Sequence, residues 1–372
     1  MKNARHIIPL GVLIFLWGFL ALLVWLKPAD DFSVSERRKL ATMPKFRLES
    51  VVSGKFFRDF ENYSLDQFPF RDHFRTLKAV SEFGLFGKKD NNDIYIADGH
   101  AVKMEYPLNE ESVRHAADKL NELCDMCLGG DSGNMKETGR IFLSIIPDKN
   151  YFLAEKSGHL SMDYDRLFRI MQEQMPYARY VDLRSALEAD DYYRTDSHWK
   201  QENLTDTVQL LANAMNISVS GDYKKHTVCR PFYGVYYGQA ALPLAPDTIT
   251  YLTNDTMDSC TVYNAETKKT TGIYNLAKLE SRDMYEVYLS GASPILTITN
   301  PNVASGKELI VFRDSFASSL VPLLAEGYSK ITLIDTRYIQ PELIGEYVDF
   351  VGNSDVLFLY STTLLNNSKT LR

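Results

Sequence analysis

The chain has 372 residues, 45% of them hydrophobic and 24% charged, with a formal net charge of −7 at pH 7. These are globular proportions, and the length suffices for one large domain or two ordinary ones. The acidic balance supplies no basic surface for a nucleic acid and argues against one as a partner.

Residues 6–26, HIIPLGVLIFLWGFLALLVWL, contain no Asp, Glu, Lys or Arg, and about 20 apolar residues are what a helix needs to cross hydrocarbon. The pattern predicts a transmembrane helix within residues 1–28. Lys2 and Arg5 precede it, so the N-terminus is expected to stay cytoplasmic and everything after Lys27 to be extracytoplasmic. The apolar run exceeds that of a cleavable signal, and Trp25, Leu26, Lys27 and Pro28 offer no small-residue cleavage site. An uncleaved signal anchor is the expectation, placing the chain in the cell membrane with a single span.

Residues 29–109 read as a juxtamembrane helical region followed by a hairpin. After the polar stretch DFSVSERRKLATMPKF, residues Phe57, Phe60, Tyr63 and Phe68 fall at near-helical spacing up to Pro69, predicting helices with a break there. They would hold the domain close to the bilayer. KKDNNDIYIADGHAVKM alternates around a D-G turn, as a hairpin does.

From residue 110 to 372 helices alternate with short apolar strands. Helices are expected over NEESVRHAADKLNELCDMCL, DYDRLFRIMQEQM, QENLTDTVQLLANAMN and SFASSLVPLLAE, and strands in GRIFLSIIPDKNYF, ARYVDLRSAL, ELIVF, KITLIDTRY and DVLFLYS. That rhythm implies an α/β sandwich whose mostly parallel sheet is flanked by helices. Residues from about 220 to 300, rich in Tyr and Thr, break it and read as a β-rich insert. Cys124 and Cys127 form a lone C-x2-C with no second pair at zinc spacing, so structural thiols are expected and neither a metal nor a cofactor. An extracytoplasmic location permits a Cys229–Cys260 disulfide, although spacing cannot establish it.

Two stretches carry chemistry. Ser315 follows Asp314 directly after the strand ELIVF and opens a helix. Its hydroxyl is therefore expected at the carboxyl edge of the sheet, beside free backbone N–H groups able to stabilise an oxyanion. A plain helix cap accounts for the same residues. In YYRTDSHWK, Asp196 and His198 stand two apart and share a face if the stretch is extended, with Trp199 beneath. An imidazole oriented by a carboxylate is the recurrent way to activate a serine. His73, His100, His115, His159 and His226 lack this pattern.

The D-x-HW element followed by strand–DSF–helix resembles the bacterial DHHW proteins. These are SGNH-hydrolase-like and similar to the acetyltransferase components of alginate O-acetylation. FSVSERRKLATMP, ENYSLDQFPFRDHF, RTDSHW and RDSFASSL through DTRYI look like family blocks in family order. The resemblance implies Ser315 as nucleophile, His198 as base and Asp196 as its orienting carboxylate. Asp314, Arg337 and Tyr360 would hold substrate or an oxyanion. Where the family reads DHHW this chain has Ser197 in place of the first His, and Ser197 is expected to point away from the site. The resemblance further implies O-acetylation of a cell-envelope polysaccharide, with a multispanning membrane acyltransferase as acyl donor. An esterase using the same residues, or a glycan-binding surface protein without catalysis, are the competing readings.

Overall fold

The computed structural model describes residues 4–128, 135–304, 306–350 and 354–372. Contacts divide the chain into two compact units, residues 1–94 with 235–245 and residues 95–234 with 246–372.

The second unit is built on an eight-stranded sheet. Its strands in chain order are β1 (Ile141–Ile146), β2 (Arg179–Tyr180), β3 (Thr261–Asn264), β4 (Lys269–Thr271), β5 (Ile295–Thr299), β6 (Glu308–Arg313), β7 (Lys330–Ile334) and β8 (Ser354–Ser361). Across the sheet they run β4-β3-β5-β7-β6-β8-β1-β2. The five from β7 to β2 are parallel, and β5, β3 and β4 extend the sheet antiparallel. β1 and β8 are mostly apolar and buried at every position, as parallel strands covered on both faces are. Successive residues of β6 alternate between two cores: Leu309 and Val311 join Trp199 and Phe316, while Ile310 and Phe312 join the helices Glu110–Leu128 and Tyr164–Gln174. The α/β layering is the expected one.

Three expectations change. The stretch 220–300 is not one separate insert: β3, β4 and β5 belong to the main sheet, and only Lys224–Thr227 with Thr250–Thr253 form a hairpin apart. The helix expected from Ser315 to Glu326 is a four-residue α-turn, Ala317–Leu320, continuing as a 3-10 helix over Val321–Gly327, because Pro322 cannot supply an α-helical N–H. The hairpin Ile94–Ala97/His100–Lys103 packs Tyr95, Ala97 and Val102 onto Leu153, so its core is in the second unit.

In the first unit α1 runs Ala4–Leu26, α2 Leu48–Val52, α3 Lys55–Asp66 and α4 Arg71–Gly84, with the expected break before α4. Among the described residues no helix is long and apolar enough to cross a membrane; the side chains of residues 4–7 and 25, inside the expected span, lie outside the described residues. The ERRK stretch pairs with this helical region. Arg38 holds Asp66 through two bonds of 2.8 and 2.5 Å, and Arg71 meets Glu36 at 2.6 Å. The Arg38 hydrogen bonds keep the Asp66 carboxyl below its ordinary range against the opposing effect of burial.

Candidate active site

Ser315 stands at the carboxyl end of β6, where the chain leaves the sheet. The preceding Asp314 is 2% exposed, and its carboxylate accepts the N–H of Phe316 at 3.1 Å and of Ser361 at 2.8 Å. It thereby fixes the turn that presents Ser315 and ties the ends of β6 and β8 together. Arg313 lies wholly buried behind, donating to Ser318 Oγ at 3.1 Å, and burial lowers its guanidinium pKa.

The stretch around His198 is not extended. Tyr192 bridges Trp199 and the N–H of Tyr193 donates to the His198 carbonyl, so residues 194–197 form a tight bend. Within it Asp196 Oδ1 accepts the backbone N–H of His198 at 3.1 Å and lies 2.6 Å from its Nδ1. An Asx-type turn brings the pair together, rather than the period of a strand. A carboxylate only accepts, so the proton belongs on Nδ1 and Nε2 is left to face Ser315 Oγ at 2.8 Å. Asp196 is fully buried and the His198 ring 12% exposed, leaving a narrow opening to solvent.

The bend is held from outside itself. Trp199 donates Nε1–H to the Phe316 carbonyl at 3.0 Å and to Ser319 Oγ at 2.9 Å, clamping the two stretches. Tyr285 lies flat on the His198 ring, 3.9 Å between centroids and 14° between planes, with its hydroxyl 2.8 Å from the same Ser319 Oγ. Asp247 accepts the N–H groups of Arg194 and Thr195 at 2.8 and 2.7 Å. The buried Lys149 ammonium donates to the Tyr193 carbonyl at 2.8 Å, and burial pulls its pKa down to about 7 against the attraction of Asp196 and Asp247.

Two segments 117 residues apart thus place a serine, a histidine and an aspartate in one hydrogen-bonded line, with the carboxylate before the serine in the chain. Residues 163–334 match the family model described as DHHW protein. A DHHW family protein from Eubacterium siraeum is similar in structure at 22% identity and a TM-score of 0.55, covering 76% of this chain and 95% of its own. Bacillus cereus PatB1, solved with a sulfonyl adduct, is similar at 18% identity and a TM-score of 0.57, over 73% of this chain and 95% of its own. The O-acetyltransferase domain of Pseudomonas putida AlgJ is matched at 13% identity and 0.44, over 73% and 92%, too distant to carry an argument. Among curated protein sequences none matches.

Set against the DHHW motif, Ser197 does not point away as expected. It is half-buried, its Oγ at 3.4 Å from Asp196 Oδ1 and 3.5 Å from His198 Nδ1, the long edge of hydrogen bonding. The other three candidate residues are each held by neighbours or by burial. Asp314 accepts two backbone N–H groups and has no donor with which to stabilise an oxyanion. Arg337 is engaged with Asp335 at 2.8 and 2.6 Å. Tyr360 is fully buried among Phe312, Phe358 and their neighbours, where substrate does not reach.

Tyr285, Ser319, Asp247 and Lys149 were not foreseen; each acts through a fold contact that no local motif announces. All four cysteines are free thiols, so the Cys229–Cys260 bridge that an extracytoplasmic location would permit is not formed. Among the described residues no group of three or more His, Cys, Asp or Glu is arranged to hold a metal.

Proposed function

We propose that this chain is a membrane-anchored, extracytoplasmic O-acetyltransferase acting on a cell-envelope polysaccharide. The observation that carries the reading is the line Asp196–His198–Ser315, with its 2.6 and 2.8 Å contacts and the histidine free to accept at Nε2. Ser315 Oγ attacks the acyl carbonyl of the donor while its proton passes to His198. The imidazolium, steadied by Asp196, returns that proton to the leaving group. A sugar hydroxyl then attacks the acyl-serine, its proton taken by His198, and the ester is formed on the sugar with Ser315 restored. The Ser315 backbone N–H, at the exit from β6, is the oxyanion donor in this scheme.

The DHHW resemblance supports acyl transfer, and a multispanning membrane acyltransferase is the donor consistent with it. Residues 7–26 serve as an uncleaved anchor, which keeps the site beside such a donor. Water in place of the sugar makes the same residues an esterase, and the opening at His198 admits it. A fold retained for glycan binding alone is the remaining alternative.

The test uses an aryl acetate donor with an oligosaccharide acceptor. Acetylated sugar is expected from the native chain and none from Ser315→Ala or His198→Ala. Ser315-dependent release of free acetate whatever the acceptor would replace transferase by esterase. A sulfonylating reagent that leaves Ser315 unlabelled and turnover intact would remove both.

A further inference from the structure

A helix of a globular fold ordinarily turns its apolar stripe to the core. α4 does the reverse. Phe70 just ahead of it, Phe74 and Leu77 follow each other at intervals of four and three residues, on one side, and are 65%, 44% and 61% exposed. The opposite side carries buried Ala79 and half-buried Phe83. Residues 46–86 expose eleven large apolar side chains, against nine in the whole described part of the second unit. Such density marks an interaction surface rather than scattered exposure.

Charge identifies what it meets. Residues 45–89 hold nine Lys and Arg against six Asp and Glu, in a chain whose net charge is −7. Lys78 is exposed beside the stripe and makes no ion pair among the described residues. Behind it a recess of about 520 Å³ is lined by Leu65, Phe68 and Phe74 together with Lys78 and with Arg71 and Arg75, both ion-paired to Glu36 in the same wall. An apolar stripe flanked by cations is the layout of a helix lying in a bilayer interface, apolar face among the acyl chains and cations among anionic headgroups.

We infer that the outward face of α4, with the apolar residues around it, lies on an anionic membrane surface. The inference rests on the membrane-anchored reading above, since the polar stretch before α2 follows directly on residues 6–26. The first unit then seats on the lipid as well as linking the anchor to the domain.

The test uses the full chain in nanodiscs of phosphatidylcholine, with or without phosphatidylglycerol, and hydroxyl-radical oxidation of Phe74 and Leu77 as a local readout. Protection is expected in the phosphatidylglycerol discs. Lys78→Ala should lower the docked-to-undocked ratio about fivefold there, the worth of one basic residue at an anionic surface, and change nothing in phosphatidylcholine. Phe74→Ser with Leu77→Ser should expose Phe86 while Ser315-dependent turnover persists. Equal oxidation in both discs overturns the inference, as does protection confined to native membranes, which would mean a protein covers the face. Alkaline extraction reports on the anchor separately: a chain that washes off loses the anchor reading, while protection on added phosphatidylglycerol vesicles still decides this one.

Discussion

Replacing Gly234 with alanine tests whether the aspartate position matters, without touching any reacting group. A Cβ built on Gly234 would lie 2.3 Å from Asp196 Cβ, 2.4 Å from Asp196 Cα and 2.4 Å from the Thr195 carbonyl oxygen. Ordinary contact begins at 3.4 Å, so the bend must retreat by about 1 Å. The atoms in the way are backbone and Cβ, which cannot swing aside as the tip of a long side chain would. Overpacking of this kind costs roughly 1–3 kcal/mol of stability. Retreat also drags Asp196 off His198, whose 2.6 Å contact has little slack, and a displacement of ~1 Å at an oriented group costs about 100-fold in rate. The Gly234 N–H, which donates to Thr195 Oγ1 at 2.9 Å, would move with it. Urea denaturation gives the first quantity and Ser315-dependent aryl acetate turnover the second. Gly272→Ala is the control, since nothing stands within 4 Å of its Cβ position. A Gly234→Ala protein that is destabilised but turns over at the native rate would refute a role for the Asp196–His198 pair. Native stability would refute the packing itself.

Tyr285→Phe keeps the ring on His198 but removes the hydroxyl from Ser319, so a loss of about 1 kcal/mol with turnover nearly intact is expected; Tyr285→Leu also removes the flat partner, and a native rate in that variant would show that the stacking does not position His198. Glu105, 4% exposed, has its carboxyl pKa raised to about 7 by burial and then by Asp148. The folded state therefore holds a proton that the unfolded chain releases, so stability should fall as pH rises from 4.5 to about 7. Glu105→Gln should flatten that slope in thermal melts taken across the window, and an unchanged slope would show that another group is responsible.

What was legible in the sequence was periodic or punctuated. IFLSII and DVLFLYS are short, mostly apolar runs, and Glu110–Leu128 keeps one apolar face, so the α/β layering could be read directly. Asp196, His198 and Ser315 stand in short motifs whose residue types limit the chemistry. The route by which they meet was not legible: an extended stretch was expected, and an Asx-type turn stabilised by Asp247, 52 to 53 residues from the N–H groups it holds, brings them together. Tyr285 could not be singled out, because its stacking on His198 joins stretches distant in the chain and no local pattern announces it. Arg337 and Tyr360 were credited for their nearness to strand ends. A side chain's position along a strand does not say whether it is engaged by a neighbour, as Arg337 is by Asp335, or closed in the core, as Tyr360 is.

The strand order has a consequence for how the chain matures. β8, completed at Ser361, occupies the centre of the sheet between β6 and β1. β1 is finished at Ile146 and then waits for the last segment to be made, which at ribosomal speeds of about 5–20 residues per second is roughly 10–40 s. Throughout that interval β1 keeps an open edge able to pair with other chains, and β6 adds a second once Arg313 is made. A nascent chain stalled or truncated before residue 354 can complete neither the sheet nor the backbone anchorage that Ser361 gives Asp314, and ribosome-bound fragments of graded length should remain protease-sensitive until β8 is added.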